Sequence, residues 1–219
     1  MKAVITMPSY DDATAYLYAY SEELIKFAEQ NRISLIQLKR PRLRRANLQT
    51  SISKQKPQLI LFNAHGDEVT IYGDKLTNTT TEYLIRKGEN HHLLEGKLTY
   101  ARACSAAAVL GRVCVQKGGG CFIGYNQPFS FWTDTSRTTT PTKDKVAALF
   151  LKPSNELAMA LLRGKSAREA ADVFMTLSKK NLLQLVNKKE EPGAMISAMI
   201  LWNNMSAQQV LGDEEMSCS

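Results

Sequence analysis

The sequence contains no long hydrophobic run and nothing that resembles a targeting signal. No apolar stretch approaches the ~20 residues that a membrane-spanning helix needs. The apolar segment between Met1 and Pro8 is too short for a signal peptide, and acidic residues follow it at Asp11 and Asp12. We therefore expect a cytoplasmic protein that makes no contact with a membrane.

Histidine and cysteine are both scarce, which limits the metal sites that this chain can build. The four cysteines are Cys104, Cys114, Cys121 and Cys218. Structural zinc sites use two close pairs of ligands, and this spacing provides none. His91 and His92 have no further ligand at a suitable separation. We expect free thiols and no metal.

Acidic residues are absent from one long segment. Between Gln30 and Gly66 the chain carries eight basic residues and no carboxylate, which accounts for the whole net charge of +7. These residues, which we call the basic segment, are Arg32, Lys39, Arg40, Arg42, Arg44, Arg45, Lys54 and Lys56. Such a segment is either a solvated surface or a docking surface for nucleic acid or an acidic protein. No aromatic residue interleaves with the basic ones, so a base-stacking surface is not indicated.

Phosphate-binding loops are also missing. The triple glycine at residues 118–120 is not followed by Lys-Ser or Lys-Thr, and it is better suited to ending a helix. The turn after the first predicted strand contains no glycine and carries Asp11 and Asp12, which repel phosphate. A flavodoxin-like nucleotide binder is therefore disfavoured, and we expect no cofactor.

The elements that are present alternate between strand and helix. Apolar runs predict five strands, at residues 2–7, 33–38, 59–63, 98–103 and 121–125. A helix is predicted at residues 12–31, with N-caps offered by Ser9, Asp11 and Asp12 and an apolar stripe at Leu17, Tyr20, Leu24, Phe27 and Ala28. Further helices are predicted at residues 48–54 and 105–117, and in part at 82–94. A small hairpin or short extra strand, with a turn at Gly73 and Asp74, is expected at residues 68–74. This rhythm is typical of a parallel sheet with right-handed crossovers.

The C-terminal third is predicted to be helical. Helices are expected at residues 146–162, at 167–186 behind the capping box that begins at Ser166, and after Pro192 and Gly193 to about Val210. The tail from Gly212 is expected to be frayed. We expect residues 1–141 to form an α/β core, on which residues 142–219 pack to complete one compact domain.

Two of the predicted strands end on a reactive side chain. The third strand leads into His65 and Gly66, and the fourth leads into Cys104. Because parallel strands place their carboxyl ends at one edge of the sheet, these side chains would form a Cys–His pair. A helix starting just after Cys104 would favour its thiolate. The backbone N–H groups of Gly66 and Cys104 would serve as oxyanion donors.

These residues resemble the signature of the caspase-like, or clan CD, cysteine peptidases. The resemblance rests on strand-His65-Gly66 followed by strand-Ala103-Cys104-Ser105, and it covers roughly residues 1–130. The chain is most similar to bacterial CHAT or gingipain-type domains, because the caspase pentapeptide around the cysteine is absent. The resemblance implies a three-layer α/β sandwich with a mostly parallel sheet. It also implies that Cys104 attacks the scissile carbonyl and that His65 protonates the leaving amine, with the Gly66 N–H holding the oxyanion.

The sequence offers two alternative residues for the specificity pocket. In some of these families the residue two before the cysteine lines the pocket, and here it is Arg102, which would favour an acidic substrate residue. Other families use an acidic residue after the fifth strand, and Asp134 fits that role, favouring Arg or Lys. The two side chains would leave a neutral pocket if they paired. Trp132 is a candidate for the pocket wall.

The resemblance implies a cysteine endopeptidase that cleaves proteins through an acyl-enzyme without a cofactor. We expect activation by a protein partner or an upstream protease, with a processing site in residues 135–145, and by analogy a role in bacterial defence. The alternative is a non-catalytic module of the same fold. That module would bind an acidic partner or nucleic acid through the basic segment.

Overall fold

The structure is a computed structural model that describes residues 1–218, and one six-stranded sheet runs through its centre. The strands are β1 (Lys2–Met7), β2 (Ser34–Lys39), β3 (Leu59–Asn63), β4 (Thr70–Lys75), β5 (Thr81–Arg86), β6 (Leu98–Arg102), β7 (Cys121–Tyr125) and β8 (Gln208–Gly212). The helices are α1 (Asp12–Gln30), α2 (Arg45–Gln55), α3 (Leu110–Gln116), α4 (Lys145–Leu162), α5 (Ala167–Asn187) and α6 (Ala194–Ala207).

The sheet has the strand order β2-β1-β3-β6-β7-β8, and only β8 runs antiparallel to its neighbour. β3 and β6 lie side by side at its centre, with Asn63 opposite Arg102. Helices cover both faces, and for that reason the central strands are apolar along their whole length. The five predicted parallel strands are all present.

Alternate residues of each strand supply two separate cores. Ile5 and Leu61 pack with α1, α4, α5 and α6 on one face of the sheet. Val4 and Ile60 pack with α2 and α3 on the other face. This division follows from the two-residue period of a strand, and it produces the predicted three-layer sandwich.

Helix α1 begins at a capping box. The Asp11 carboxylate accepts a hydrogen bond from the Thr14 backbone N–H at 2.8 Å, and the Thr14 hydroxyl accepts one from the Asp11 N–H at 3.1 Å. The predicted apolar stripe of the helix faces the sheet, with Leu17, Tyr20 and Leu24 buried. α1 therefore starts directly above the edge of the sheet at which β1 ends.

Helix α4 continues through a proline. Pro153 has no N–H to donate to the carbonyl of Leu149, four residues earlier. The side-chain amide of Asn181, on α5, donates to that carbonyl at 2.9 Å instead. The bond satisfies the carbonyl and ties the two helices together.

The predicted helical character of residues 82–94 is wrong for most of that stretch. β5 pairs antiparallel with β4, and only His91–Leu94 form a short 3-10 helix. The hairpin places Leu84 and Ile85 against the core formed with α2. Its turn lies at residues 76–80 rather than at Gly73 and Asp74, which belong to β4.

The prediction that the C-terminal tail is frayed is also wrong. Residues after α6 form β8, which pairs along the whole of β7 from Cys121 to Tyr125. The Ala167 N–H donates to the Met216 carbonyl at 3.0 Å, and Cys218 is buried. The predicted last helix extended to about Val210 and therefore covered the start of β8, which pairs with the backbone of β7. Among the helices within residues 1–218, none joins the length and apolar character that crossing a membrane demands.

Candidate active site

His65 and Cys104 follow the ends of the two central strands. The register of β3 and β6 pairs Asn63 with Arg102, and the Ala64 N–H donates to the Arg102 carbonyl at 3.3 Å just beyond it. His65 and Cys104 each come two residues after that register pair. The structure therefore brings both predicted residues to the same edge of the sheet.

Gly66 packs directly on the backbone of the predicted nucleophile. A Cβ atom at Gly66 would lie 2.9 Å from the Cys104 carbonyl oxygen and 3.0 Å from the Cβ of Ala103. Any side chain would force the two strand ends apart. The glycine that follows His65 is thus required by the close approach of these segments.

The Cys104 thiol is half-buried, and its pKa is raised. Its Sγ donates to the carbonyl oxygen of Phe129 at 3.7 Å. Burial raises the pKa of the thiol, and it outweighs the backbone hydrogen bonds, which act in the other direction. The expected thiolate-stabilising helix is not there, because residues 103–109 are turns and α3 begins only at Leu110.

A strained turn carries Cys104, the predicted nucleophile. Ser105 has a φ of 55°, in the left-handed region that non-glycine residues seldom occupy. Its N–H donates to the Gln127 carbonyl at 3.1 Å, and the Ala107 N–H donates to the Tyr125 carbonyl at 2.9 Å. These bonds to the strand β7 and the loop after it hold the turn in its unfavourable conformation.

His65 is oriented by the Asp11 carboxylate, which the sequence indicates only as a helix cap. The His65 Nε2 lies 2.8 Å from Asp11 Oδ2, and the Tyr10 ring centroid is 5.9 Å from that of His65. Burial by itself would raise the pKa of the Asp11 carboxyl, but hydrogen bonds from Thr14 and His65 outweigh it and the pKa is lowered. With Nε2 donating to Asp11, Nδ1 is left to accept a proton. The available signal was that β1 ends at the same sheet edge, immediately before Tyr10 and Asp11.

The two predicted oxyanion donors do not bond to another residue. Across residues 1–218, neither the Gly66 N–H nor the Cys104 N–H donates to a carbonyl or to the side chain of a different residue. The bridge between Gly66 and Ile71 is made by the flanking residues, since the Tyr72 N–H donates to His65 and the Asp67 N–H to Thr70. Asp67 is occupied in this turn and does not contact His65.

A cleft lies between the start of α1 and residues 129–133, and it includes Phe129, whose carbonyl accepts the thiol hydrogen bond. It is lined by Asp12, Ala13, Phe129, Ser130, Phe131 and Thr133. Asp12 is the charged member of this set, and within the described chain it forms no ion pair. Asn204 of α6 fixes the segment, because its side chain accepts from the Ser130 N–H at 3.0 Å and donates to the Ser130 carbonyl at 2.6 Å.

Arg102 lies in the interior and not at the cleft. Its side chain is 1% exposed, and the guanidinium donates to Asn63 at 2.7 Å and to Ser154 at 2.8 Å. A third bond reaches Asn155 at 3.0 Å. The expectation that Arg102 selects acidic substrates, or pairs with Asp134, is therefore corrected: in a strand buried on both faces, the residue before the C-terminal turn points into the core.

Asp134 and Trp132 lie near the cleft without lining it. The Asp134 carboxylate accepts from the N–H and hydroxyl of Ser136, which lower its pKa. Trp132 is 52% exposed and borders a different groove, together with Lys145 and Leu149. The structure brings Cys104, His65 and Gly66 together, adds Asp11 and Asp12, and leaves Asp134 one residue beyond the cleft lining.

The basic segment is partly neutralised by the β4–β5 hairpin. Arg40 pairs with Asp74 at 2.6 Å, and Arg44 lies 3.6 Å from Glu82. Arg45 stacks on the Tyr83 ring at 4.4 Å. The remaining basic residues form no ion pair within residues 1–218, and they are Arg32, Lys39, Arg42, Lys54 and Lys56.

The described residues hold no grouping of three or more His, Cys, Asp or Glu side chains that would bind a metal ion. The four cysteines are free thiols. Burial raises the pKa of Cys114 and of Cys121 to about 12, in each case with a contribution from nearby carboxylates. These buried thiols are inert, and Cys104 differs from them in being partly exposed.

Comparison with known proteins gives one kind of match. No family model matches the sequence, and no curated protein matches it. Seven solved chains match by structure, among them the crystal structure of the Arg-specific cysteine proteinase gingipain R. That match has a TM-score of 0.55 and 12% sequence identity, and it covers 99% of this chain and 47% of the gingipain chain.

This likeness confirms the predicted fold class. The mixed α/β sandwich with its mostly parallel six-stranded sheet is the caspase-like fold of that proteinase. The chain spans about half the length of its structural neighbour. At this identity the likeness concerns the fold alone, so the activity has to be argued from the site.

Proposed function

We propose that the protein is a cysteine endopeptidase of the gingipain or CHAT type, with Cys104 as nucleophile and His65 as general acid and base. The observation that carries this proposal is the placement of His65 and Cys104 at the ends of adjacent strands, with Asp11 bonded to the histidine at 2.8 Å. Nucleophile, base and orienting carboxylate are the parts that such a reaction requires.

The reaction proceeds through an acyl-enzyme. His65 Nδ1 takes the thiol proton while Sγ attacks the carbonyl carbon of the scissile peptide bond. The negative charge formed on the carbonyl oxygen accepts hydrogen bonds from the N–H groups of Gly66 and Cys104. The histidine then gives its proton to the departing amine, and the thioester forms. Water, deprotonated by His65, hydrolyses the thioester and regenerates the thiol.

The resting structure needs a conformational change before this step. The thiol donates to the Phe129 carbonyl rather than to His65, and its pKa is raised. We propose that activation moves residues 129–133 and frees the thiol. A partner or an upstream protease would do this, and Arg137 and Lys143 are exposed in the segment 135–145, whereas Asp144 is buried.

We propose that the substrates carry Arg or Lys before the cleaved bond. Asp12 lines the cleft that includes Phe129, the residue bonded to the thiol, and it lacks a cationic partner within residues 1–218. Asp134, just beyond the cleft, would add to the same negative field. The structural neighbour is itself described as Arg-specific. A bacterial defence role, which rests on the resemblance seen in the sequence, and the cytoplasmic location that the sequence predicts complete the proposal.

Labelling with peptide probes tests the proposal. Four probes share one thiol-reactive group and carry Arg, Lys, Asp or Leu at the position before it. Labelling confined to Cys104, faster with Arg and Lys and weakened in His65→Ala and Asp12→Asn, is the expected result. Equal labelling of wild type and His65→Ala by every probe would refute the dyad. If the preference for Arg and Lys probes survives in Asp12→Asn but is lost in Asp134→Asn, the residue that determines specificity is Asp134.

The second candidate function is a non-catalytic module that binds an acidic protein. The five unpaired basic residues of the basic segment favour it. A salt-sensitive complex that persists in Cys104→Ala and His65→Ala, with no labelling of the wild type even after a candidate activator or proteolysis within residues 135–145, would establish this alternative in place of the peptidase.

A further inference from the structure

A continuous groove runs along the surface between α4 and α5. One end is bordered by Trp132 and the first residues of α6, and the other end reaches Glu156. Lys145, Leu149 and Gln184 line both halves, so the two depressions form one channel. α4 has 18 residues, and a groove along it accommodates a helix of about 20 Å or more in length.

The floor of the groove is apolar. It is formed by Val146, Leu149, Pro153, Leu177 and Leu185. At one end Trp132 is 52% exposed, although it is among the largest side chains available for burial. An apolar floor of this shape fits the hydrophobic stripe of an amphipathic helix, which is one of the common modes of peptide recognition.

The rim of the groove is positively charged. Lys145, Lys152 and Lys180 line it, and none of them pairs with a carboxylate in the described part of the chain. The two glutamates at the groove are already neutralised. Glu156 lies 3.6 Å from Arg163, and Glu191 lies 2.9 Å from Lys188. The unpaired charge on the groove is therefore cationic.

We propose that this groove binds an acidic amphipathic helix from a partner protein. Its apolar stripe would cover the floor and Trp132, while flanking Glu or Asp side chains would meet Lys145, Lys152 and Lys180. Single-stranded nucleic acid fits less well, because the floor is aliphatic and offers only one aromatic ring for stacking.

The groove connects physically with the candidate active site. Trp132 belongs to the segment whose Phe129 carbonyl accepts the thiol hydrogen bond, three residues away in the chain. A helix that buries Trp132 pulls on that segment, and this consequence, unlike binding itself, rests on the proposed function. The groove is thus the place from which a partner would free Cys104.

Binding is tested by fluorescence with one tryptophan. The chain has two tryptophans, so Trp202→Phe, at an exposed position of α6, leaves Trp132 as the sole reporter. The probes are three designed peptides of about 20 residues: a Leu-striped helix with Glu flanks, the same helix with Lys flanks, and a scrambled Glu version. We expect saturable changes in Trp132 emission with the first peptide only.

Charge reversal supplies the control. The double substitution Lys152→Glu/Lys180→Glu should lower the affinity for the Glu-flanked peptide at least tenfold and allow the Lys-flanked peptide to bind. Lys54→Glu/Lys56→Glu, on the opposite face of the sheet, should change neither. Equal binding of the Glu and Lys peptides, or no binding of either, would overturn the proposed groove. So would tighter binding of an oligonucleotide that the Glu peptide fails to displace.

The consequence for Cys104 is read separately, as the rate of its alkylation with and without the Glu peptide. Faster alkylation in the complex supports coupling. Binding without any change in alkylation overturns the coupling and leaves the groove, whereas failure of the peptide probes to label Cys104 bears on the peptidase proposal alone.

Discussion

Asp11 uses its two carboxylate oxygens for two different tasks. Oδ1 caps α1 through Thr14, and Oδ2 orients His65. The cap requires only a short polar side chain, while the bond to His65 requires reach and charge. The two tasks can therefore be separated by substitution.

Asp11→Ser should keep the cap and lose the histidine partner. We expect its thermal midpoint to stay close to that of Asp11→Asn, because Ser and Asn are both good N-caps. The rate of Cys104 labelling by the preferred peptide probe should fall by about tenfold or more in Asp11→Ser, since His65 is no longer oriented. A labelling rate equal to that of wild type would remove Asp11 from the site.

Thiol reactivity should depend on pH in the manner of a buried, unpaired cysteine. A raised pKa means that less thiolate is present at neutral pH than in a free cysteine. Alkylation of Cys104 by iodoacetamide, followed by mass spectrometry, should reach half its maximal rate above the ~8.5 of an unstructured cysteine peptide. A plateau already below pH 7 would instead reveal a thiolate paired with His65.

The sequence was sufficient for some site residues and not for others. Cys104, His65 and Gly66 were found because each follows a buried strand, and parallel strands end together. Asp11 was recognised as a cap, since capping is a local pattern, whereas its bond to His65 spans 54 residues. The prediction that Arg102 lines the specificity pocket was wrong. Its hydrogen-bond partners in the core are Asn63, Ser154 and Asn155, and the sequence around Arg102 gives no sign of them.

Helices and strands were predictable wherever burial decided the pattern. α1, α4 and α5 carry apolar stripes and caps that are visible in the sequence. β5 and β8 were missed, since their stability comes from partner strands and not from their own residues. α3 was placed too early because alanines favour helix, while the bonds of Ser105 and Ala107 to the β7 side of the sheet impose turns.

The proline in α4 makes one side chain of α5 unusually important. Asn181→Ala would leave the Leu149 carbonyl without its donor, which should cost about 1–2 kcal/mol of unfolding free energy. Chemical denaturation with Gln184→Ala as the matched control, an exposed position one turn later, measures this. The control should stay within about 0.5 kcal/mol of wild type. Equal effects of the two substitutions would show that the Leu149 carbonyl finds another donor.

On the scale of the whole molecule, the sheet is completed by residues distant in the sequence. β8 pairs with β7 at one side of the sheet. In the sequence it follows α4, α5 and α6, which pack together on one face of that sheet. Exposed strand edges are sites of aggregation, and β8 takes the edge position in place of β7, whose five residues are all buried. The last strand therefore contributes to solubility as well as to stability.

Removing residues 208–219 should lower the thermal midpoint strongly and promote aggregation. β7 would lose all five of its β8 register partners, from Cys121 to Tyr125. Arg168→Ala is the matched control, because it breaks only the exposed pairs that Arg168 forms with Glu214 and Glu215. We expect the control to leave the midpoint unchanged. A soluble, fully stable deletion variant would show that β8 is dispensable.

The position of β8 also sets an order of events during synthesis. A ribosome makes β3, β6 and the Cys104 turn long before it makes Asn204, whose side chain fixes Ser130, or Ala207, whose carbonyl accepts from Asn126 at 2.9 Å. Until those last residues emerge, nothing from α6 holds Phe129 over the thiol. If Cys104 is the nucleophile, as we propose, a nascent chain passes through a stage in which its turn is already formed and its cover is not yet attached, so translation sets the time at which the thiol becomes covered.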